Sequence, residues 1–308
     1  MDMEFDTTGL KKVKSGFVAI LGRPNTGKST LLNAIAGRKI AITSPKPQTT
    51  RENITAIYND EEVQIAFIDT PGYHSGAKKL NRYMVSQSIN SISDADVVVI
   101  VTDPSSKEDE FRKFGALELA EKALELSKPV IIVLNKSDKK KQREGMLPVI
   151  GKWSTVPGIG AVIPLSAMTG DGIDILIKEI SVHLSEGFAY YPEGMDTDRS
   201  DEWIAGEVIR ETIIMLVSQE IPYSIGTKVI SWEDKGDSVR MEADIFVERD
   251  SQKAIIIGAK GSMVKKIGES SRKSLAGIFG RDFHVFLNVR VEPGWTDSSR
   301  GLIKLGYE

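Results

Sequence analysis

No cysteine occurs among the 308 residues. That excludes disulfides and thiolate metal sites, and it fits a reducing, cytoplasmic compartment. No apolar run approaches the ~20 residues that a spanning helix needs, and the opening "MDMEFDTTGLKKVKSGF" has no apolar core of the kind a secretory leader carries. Any membrane contact is therefore expected to be peripheral. A large excess of one charge is lacking too. Lys and Arg number 40 against 43 Asp and Glu, a net charge of −3, so binding to nucleic acid would need a local basic patch. Only three histidines occur, and His74, His183 and His284 form no metal-binding cluster in the sequence. What is present is ordinary for a globular chain, 41% hydrophobic and 27% charged, and long enough for about two domains.

Short Val- and Ile-rich runs recur at 17–21, 63–68, 96–101, 129–134 and 161–165. They do not alternate strictly, which is the pattern of strands buried on both faces of a mostly parallel sheet. Helical patterns such as "STLLNAIAGRK" and "GIDILIKEISVHLSEG" lie between them, so the spacing predicts an α/β fold. From 186 the chain becomes rich in Gly, Pro and Asp and loses its period. A helix over 203–219 follows, then two alternating strands, two helical stretches and a last strand beginning at Phe283. That order predicts a separate α+β domain. The expected division is 1–185 for a nucleotide domain, 186–202 for a linker and 203–308 for the second domain.

The stretch "GRPNTGKST" follows the first apolar run and precedes a helix. Residues Gly22 to Ser29 read G-x-x-x-x-G-K-S, the phosphate-binding loop. Gly22 and Gly27 allow close backbone approach, and Asn25, Thr26 and Thr30 complete the expected phosphate-binding set. Successive N–H groups form an anion nest at a helix start. Lys28 is expected to reach the β- and γ-phosphates, and the Ser29 hydroxyl to coordinate Mg²⁺. The loop "SPKPQTTRENI" offers Gln48, Thr49 and Thr50, with Thr50 the expected second hydroxyl on the metal. "DTPG" supplies Asp69, for contact to the metal through water, then Thr70, Pro71 and Gly72, whose N–H would sense the γ-phosphate.

"NKSD" at 135–138 selects the base. Asp138 can accept from N1–H and the 2-amino group of guanine, whereas adenine would leave it unpaired. Asn135 is expected to tie this loop to the phosphate loop, and the Lys136 stem to cover the base plane. "SAM", Ser166 to Met168, supplies backbone N–H groups for O6, with Ala167 favoured. The nucleotide pair is thus GTP and GDP. Many such switches orient the attacking water with a glutamine after "DTPG". Tyr73 and His74 stand there instead, so intrinsic turnover is expected to be slow.

In the second domain, "AIIIGAKGSMVKKIGESSRKSL" contains Gly258-Ala259-Lys260-Gly261 after Ile257. A G-x-x-G loop between helices can clamp about four nucleotides of single strand. From Lys253 to Arg281 the tract adds Lys265, Lys266, Arg272 and Lys273 against little acidic charge, which is the local basic patch.

With these residues in view the chain resembles the Era family of bacterial GTPases. "GRPNTGKSTLLNAIAG", "ITSPKPQTTR", "DTPGYH", "NKSD" and "PLSAMTGDGID" look like its five G motifs in order, and "PEGMDTDRS", "IIIGAKG" and the ending "GW…LGY" look like its linker, RNA-binding loop and tail. The resemblance implies a P-loop GTPase domain joined to a type II KH domain. It implies binding to the 3′ end of small-subunit (16S) ribosomal RNA and to the 30S subunit, in subunit assembly. It further implies an apolar or aromatic residue at Tyr73, potassium stimulation through Asn25, a monomer, and a cytoplasmic protein with peripheral inner-membrane contact. Thr26 departs from the small apolar residue usual in that family. A competing reading gives the second domain a protein or membrane partner instead of RNA. An ATP-dependent phosphotransferase is disfavoured by Asp138, and a GTPase with two G domains by the single phosphate loop.

Overall fold

A computed structural model describes residues 12–46, 49–72, 79–104, 115–217, 221 and 224–307. The chain divides into two compact units. One comprises Met1–Ala36, Ile54–Asp69 and Ile89–Asp198, the other Gly37–Asn53, Thr70–Ser88 and Arg199–Glu308.

The first unit is built on a mostly parallel sheet. Strand β1 (Lys12–Leu21) lies between β3 (Val63–Asp69) and β4 (Val97–Thr102), parallel to both; β5 (Val130–Leu134) and β6 (Ile159–Pro164) continue outward from β4, and β2 (Ile54–Asn59) closes the other edge antiparallel to β3. Val97 to Val101 and Val130 to Leu134 are wholly buried, which explains their unbroken apolar character. Parallel neighbours need long crossovers, and helices fill them. These helices are α1 (Lys28–Ala36), α2 (Lys79–Asp94), which belongs to this unit only from Ile89, α3 (Ala116–Glu125), α4 (Lys140–Glu144), α5 (Met146–Trp153) and α6 (Ile173–Val182).

Two expectations change here. The first strand starts at Lys12 rather than 17, and its early half pairs antiparallel with a further strand, β7 (Ser185–Phe188), from Lys12↔Phe188 to Ser15↔Ser185. Ser15 Oγ donates to the Phe188 carbonyl at 2.9 Å and Lys14 Nζ to that of Ser181 at 3.0 Å. The chain beyond, expected as a linker over 186–202, stays on the first unit as far as Asp198. Asn59 Nδ2 donates to Met195 O at 3.1 Å, and Thr55 Oγ1 to Asp198 Oδ2 at 2.9 Å. Many of these links go to backbone groups, which leave little trace in the identities of the residues.

In the second unit a three-stranded sheet runs β10-β9-β8, with β8 (Gly226–Asp234) antiparallel and β10 (Asp282–Val291) parallel to the central β9 (Ser238–Val247). Helices α7 (Asp201–Leu216), α8 (Asp250–Ile257) and α9 (Ser262–Phe279) give the expected element order, and a terminal α10 (Ser299–Leu305) adds to it. Helix α7 begins two residues earlier than its apolar period suggests, because Ser200 caps it. The hydroxyl accepts from Trp203 N at 3.3 Å, and Asp201 and Glu202 occupy the first turn. Val239, Met241, Ala243, Ile245 and Val247 are fully buried, as their alternation requires. Phe246 lies on the opposite face and is buried as well. It packs with Leu80, Met84, Trp295, Leu302, Leu305 and Tyr307, so α10 and the start of α2 cover a face that would otherwise be wet.

Candidate functional site

The loop from β1 to α1 turns through Gly22 (φ 145°), Asn25 (φ 65°) and Gly27 (φ 100°). A Cβ on Gly22 would lie 2.3 Å from Val101 O, and one on Gly27 would lie 2.2 Å from Asn135 Nδ2. Lys28 is buried beneath the loop, where Nζ donates to the carbonyls of Gly22 and Arg23, both at 3.0 Å. Burial pushes this ammonium below the usual lysine value, and the nearby Asp69 charge opposes that shift. A buried cation under a nest of amides is costly alone and suited to a phosphate chain. Thr26 helps to build the loop, since its Oγ1 donates to Arg23 O at 3.0 Å. Thr30 stands beside Ser29 in the first turn of α1.

Ser29 Oγ donates to Asp69 Oδ2 at 2.7 Å, and Asp69 is fully buried at the end of β3. A hydroxyl and a carboxylate are hard oxygen donors, so this pair fits magnesium. Among the described residues no cluster of three or more His, Cys, Asp or Glu could hold another metal. The remaining switch positions belong to the second unit. Thr50, Thr70 and Pro71 are buried there, with Thr49 and Gly72 half-buried. Gln48, Tyr73 and His74 lie outside the described residues.

One side chain joins the other loops of the first unit. Asn135 Nδ2 donates to Thr26 O at 2.8 Å, while its Oδ1 accepts from Lys136 N at 2.7 Å and from Ala167 N at 3.0 Å. The phosphate loop, the "NKSD" loop and the "SAM" loop therefore meet on a single carboxamide. The Ala167 N–H, expected for guanine O6, is engaged by Asn135 instead. Lys136 adopts φ 69°, donates Nζ to Asn25 O at 2.9 Å and pairs with Asp103 Oδ2 at 2.7 Å. Sequence reasoning missed Asp103. Its one signal was an acid just past the end of a buried strand, where α/β folds place ligands. Asp138 is exposed and oriented by Ser166, whose Oγ donates to Asp138 Oδ1 at 2.8 Å; Met168 is 77% exposed.

In the second unit the G-x-x-G loop links α8 to α9 with Gly258 at φ 72°, Lys260 at φ 52° and Gly261 at φ 77°. A Cβ on Gly258 would lie 2.7 Å from Met263 N, whereas nothing lies within 4 Å of one on Gly261. Ala259, Lys260, Lys265, Lys266, Arg272 and Lys273 are exposed, and Ile257 is half-buried. Arg281 is withdrawn from the expected basic patch. It pairs with Asp234 at 2.6 Å and Asp201 at 3.8 Å. The Gly236 N–H, then Arg281, holds the Asp234 carboxyl below the usual carboxylate range.

Comparison with known proteins agrees with this layout. Residues 17–136 match the family described as 50S ribosome-binding GTPase, and residues 220–296 match the KH domain. GTPase Era of Coxiella burnetii (strain Dugway 5J108-111) is 39% identical over 97% of this chain and 100% of its own length. GTPase Era of Clostridium acetobutylicum is 41% identical over 96% of this chain and 98% of its own. Among solved structures, a point variant of Aquifex aeolicus Era bound to GDP·AlF4⁻ has a TM-score of 0.89 at 36% identity, over 96% of this chain and 99% of that one. Era in complex with MgGDPNP and nucleotides 1506–1542 of 16S ribosomal RNA has a TM-score of 0.88, also at 36% identity and with the same coverage.

Proposed function

The chain belongs to the Era family of GTPases, and from that membership we propose that it is a GTP-hydrolysing switch that binds the 3′ end of 16S ribosomal RNA and the 30S subunit during small-subunit assembly. The observation that carries the nucleotide half is Asn135, which draws the phosphate loop and the base-selecting loop together in one unit. A triphosphate on the Gly22–Thr30 loop then has its purine within the province of Asn135, Lys136, Asp138 and Ser166 to Met168. Lys28 neutralises the β- and γ-phosphates. Asp138 selects guanine by accepting from N1–H and the 2-amino group.

Magnesium would be held by Ser29 and Thr50, with Asp69 acting through water, and would supply charge neutralisation on the phosphates. Hydrolysis transfers the γ-phosphoryl group to water, and this chain contributes position and charge rather than a base. Loss of that group releases the contacts of Thr50 and Gly72. Gln48 to Thr50 and Asp69 to Tyr73 are therefore the two switch segments. Potassium beside Asn25, a monomeric state and a cytoplasmic location with peripheral inner-membrane contact complete the reading. No helix among the described residues is long and apolar enough to cross a membrane.

The RNA half rests on Ile257 to Gly261 with Lys265 and Lys266, at the start of a helix whose basic side chains are exposed. Crosslinking to a 16S 3′-end RNA with GDP or GDPNP bound tests the whole. Higher yield with GDPNP is expected, and equal yields at equal affinity would refute nucleotide control of RNA binding. An RNA association unchanged by replacing Lys260, Lys265 and Lys266 would favour a protein or membrane partner for this domain.

A further inference from the structure

Helix α7 carries charged side chains that end on the segment leading to Thr50. The fully buried Arg210 donates Nε to Glu207 Oε1 at 2.7 Å, and Nη2 to both Glu207 Oε2 and the Thr49 carbonyl. Its neighbour Glu211 accepts from Thr43 N at 2.8 Å and pairs with Lys39. Lys46 Nζ reaches the carbonyls of Ile214 and Val217 at the far end of the helix, where a cation is favoured. All these residues lie in the second unit. Lys39, Thr43, Lys46 and Thr49 are each attached in this way to α7 or to the residue that ends it, and the Thr49 link bears on chemistry. The Thr49 carbonyl and the Thr50 N–H are opposite sides of one planar peptide. Holding the oxygen therefore fixes the plane of that peptide and the direction of the Thr50 N–H, from which the side chain departs.

We propose that Arg210 is a positioning residue for GTP hydrolysis, which pins the Thr49–Thr50 peptide so that the Thr50 hydroxyl is presented to magnesium. The inference rests on the proposed GTPase reading and deepens it. Arginine is suited because its rigid fork serves the Glu207 carboxylate and a carbonyl together, which an ammonium on a flexible stem does poorly. Burial works against the Arg210 charge, but the Glu207 carboxylate outweighs it and raises the guanidinium above its ordinary value. The group therefore stays charged.

The test is steady-state GTP hydrolysis by the full chain across a magnesium titration, for wild type, Arg210→Met and Arg210→Lys, with GDP affinity measured beside it. Arg210→Met is expected to lower kcat about 10-fold, the scale of one hydrogen bond from a charged donor. It should also raise the magnesium concentration needed for half-maximal rate. GDP affinity should stay unchanged, because GDP needs Lys28 and Asp138 and not Thr50. Arg210→Lys should recover part of both losses. A purely structural Arg210 would lower Tm while leaving kcat and the magnesium requirement of the folded protein at wild-type values, and that result would overturn the inference. Should Arg210→Met fail to fold, the same two readings on Arg210→Lys decide it. A wild-type chain that hydrolyses no GTP would instead overturn the proposed function.

Discussion

The loops Gly22–Lys28 and Gly258–Gly261 each place two glycines and one left-handed non-glycine residue ahead of a helix. That residue is Asn25 at φ 65° in the first and Lys260 at φ 52° in the second. Their lysines part company. Lys28 is buried and bonded to its own loop, while Lys260 is exposed. Their glycines differ as well. A Cβ on Gly27 would run into Asn135, whereas one on Gly261 would meet nothing within 4 Å. The first loop is shaped to enclose a phosphate chain. The second is a clear ledge over which an extended sugar–phosphate backbone can pass. Similar local sequence thus yields a cage or a ledge according to what packs behind it.

The largest effect that separates them is expected at the buried charge. Lys28→Ala should lower the rate of GTP hydrolysis by about 10²–10³, the scale of losing one preorganised charge partner of the transition state, as read from phosphate release. It should leave RNA binding by the nucleotide-free chain intact. Lys260→Ala should do the reverse, and a loss of hydrolysis there would break the comparison.

Next come the glycines. Gly27→Ala combines φ 100° with a clash on Asn135, so a stability loss of about 1–3 kcal/mol is expected in denaturant unfolding, with weakened nucleotide binding. Gly261→Ala meets open space and carries only the left-handed penalty of about 1 kcal/mol. Its larger signature should be in RNA affinity. Equal stability losses would show that the walls around Gly27 yield.

The smallest effects concern single surface charges. Lys265→Gln or Lys266→Gln should each reduce the dependence of log affinity on log salt by about 0.7, the single-strand value per phosphate contact. Arg281→Gln should leave that slope unaltered, because Asp234 already holds the guanidinium. A slope change for Arg281→Gln matching that for Lys265→Gln would return Arg281 to the RNA surface.

The phosphate, base and G-x-x-G loops were legible in the sequence because each depends on residue types that few alternatives satisfy. A walled glycine, a buried lysine or a carboxylate steadied by a serine hydroxyl leaves a readable spacing. The parallel strands were legible from their unbroken apolar runs. What stayed hidden depends on neighbours distant in the chain. Strand β7 adds to β1 largely through backbone groups. Phe246 breaks the alternation of β9 because α10 covers it. Arg281 looks like any other base in a basic tract until Asp234 is placed beside it. Arg210 reads as a polar residue in an apolar helix, and no spacing announces that its partner is the Thr49 carbonyl.

The account depends on one nucleotide spanning Lys28 and Asp138, and base preference tests that most directly. Xanthine carries a carbonyl where guanine carries its 2-amino group, so an asparagine amide can donate to it. Equilibrium affinities for GTP and XTP should be measured on wild type, Asp138→Asn and Lys28→Ala. The account predicts that Asp138→Asn exchanges GTP for XTP, and that Lys28→Ala weakens whatever triphosphate binds. An Asp138→Asn protein that holds GTP as tightly as wild type would contradict it.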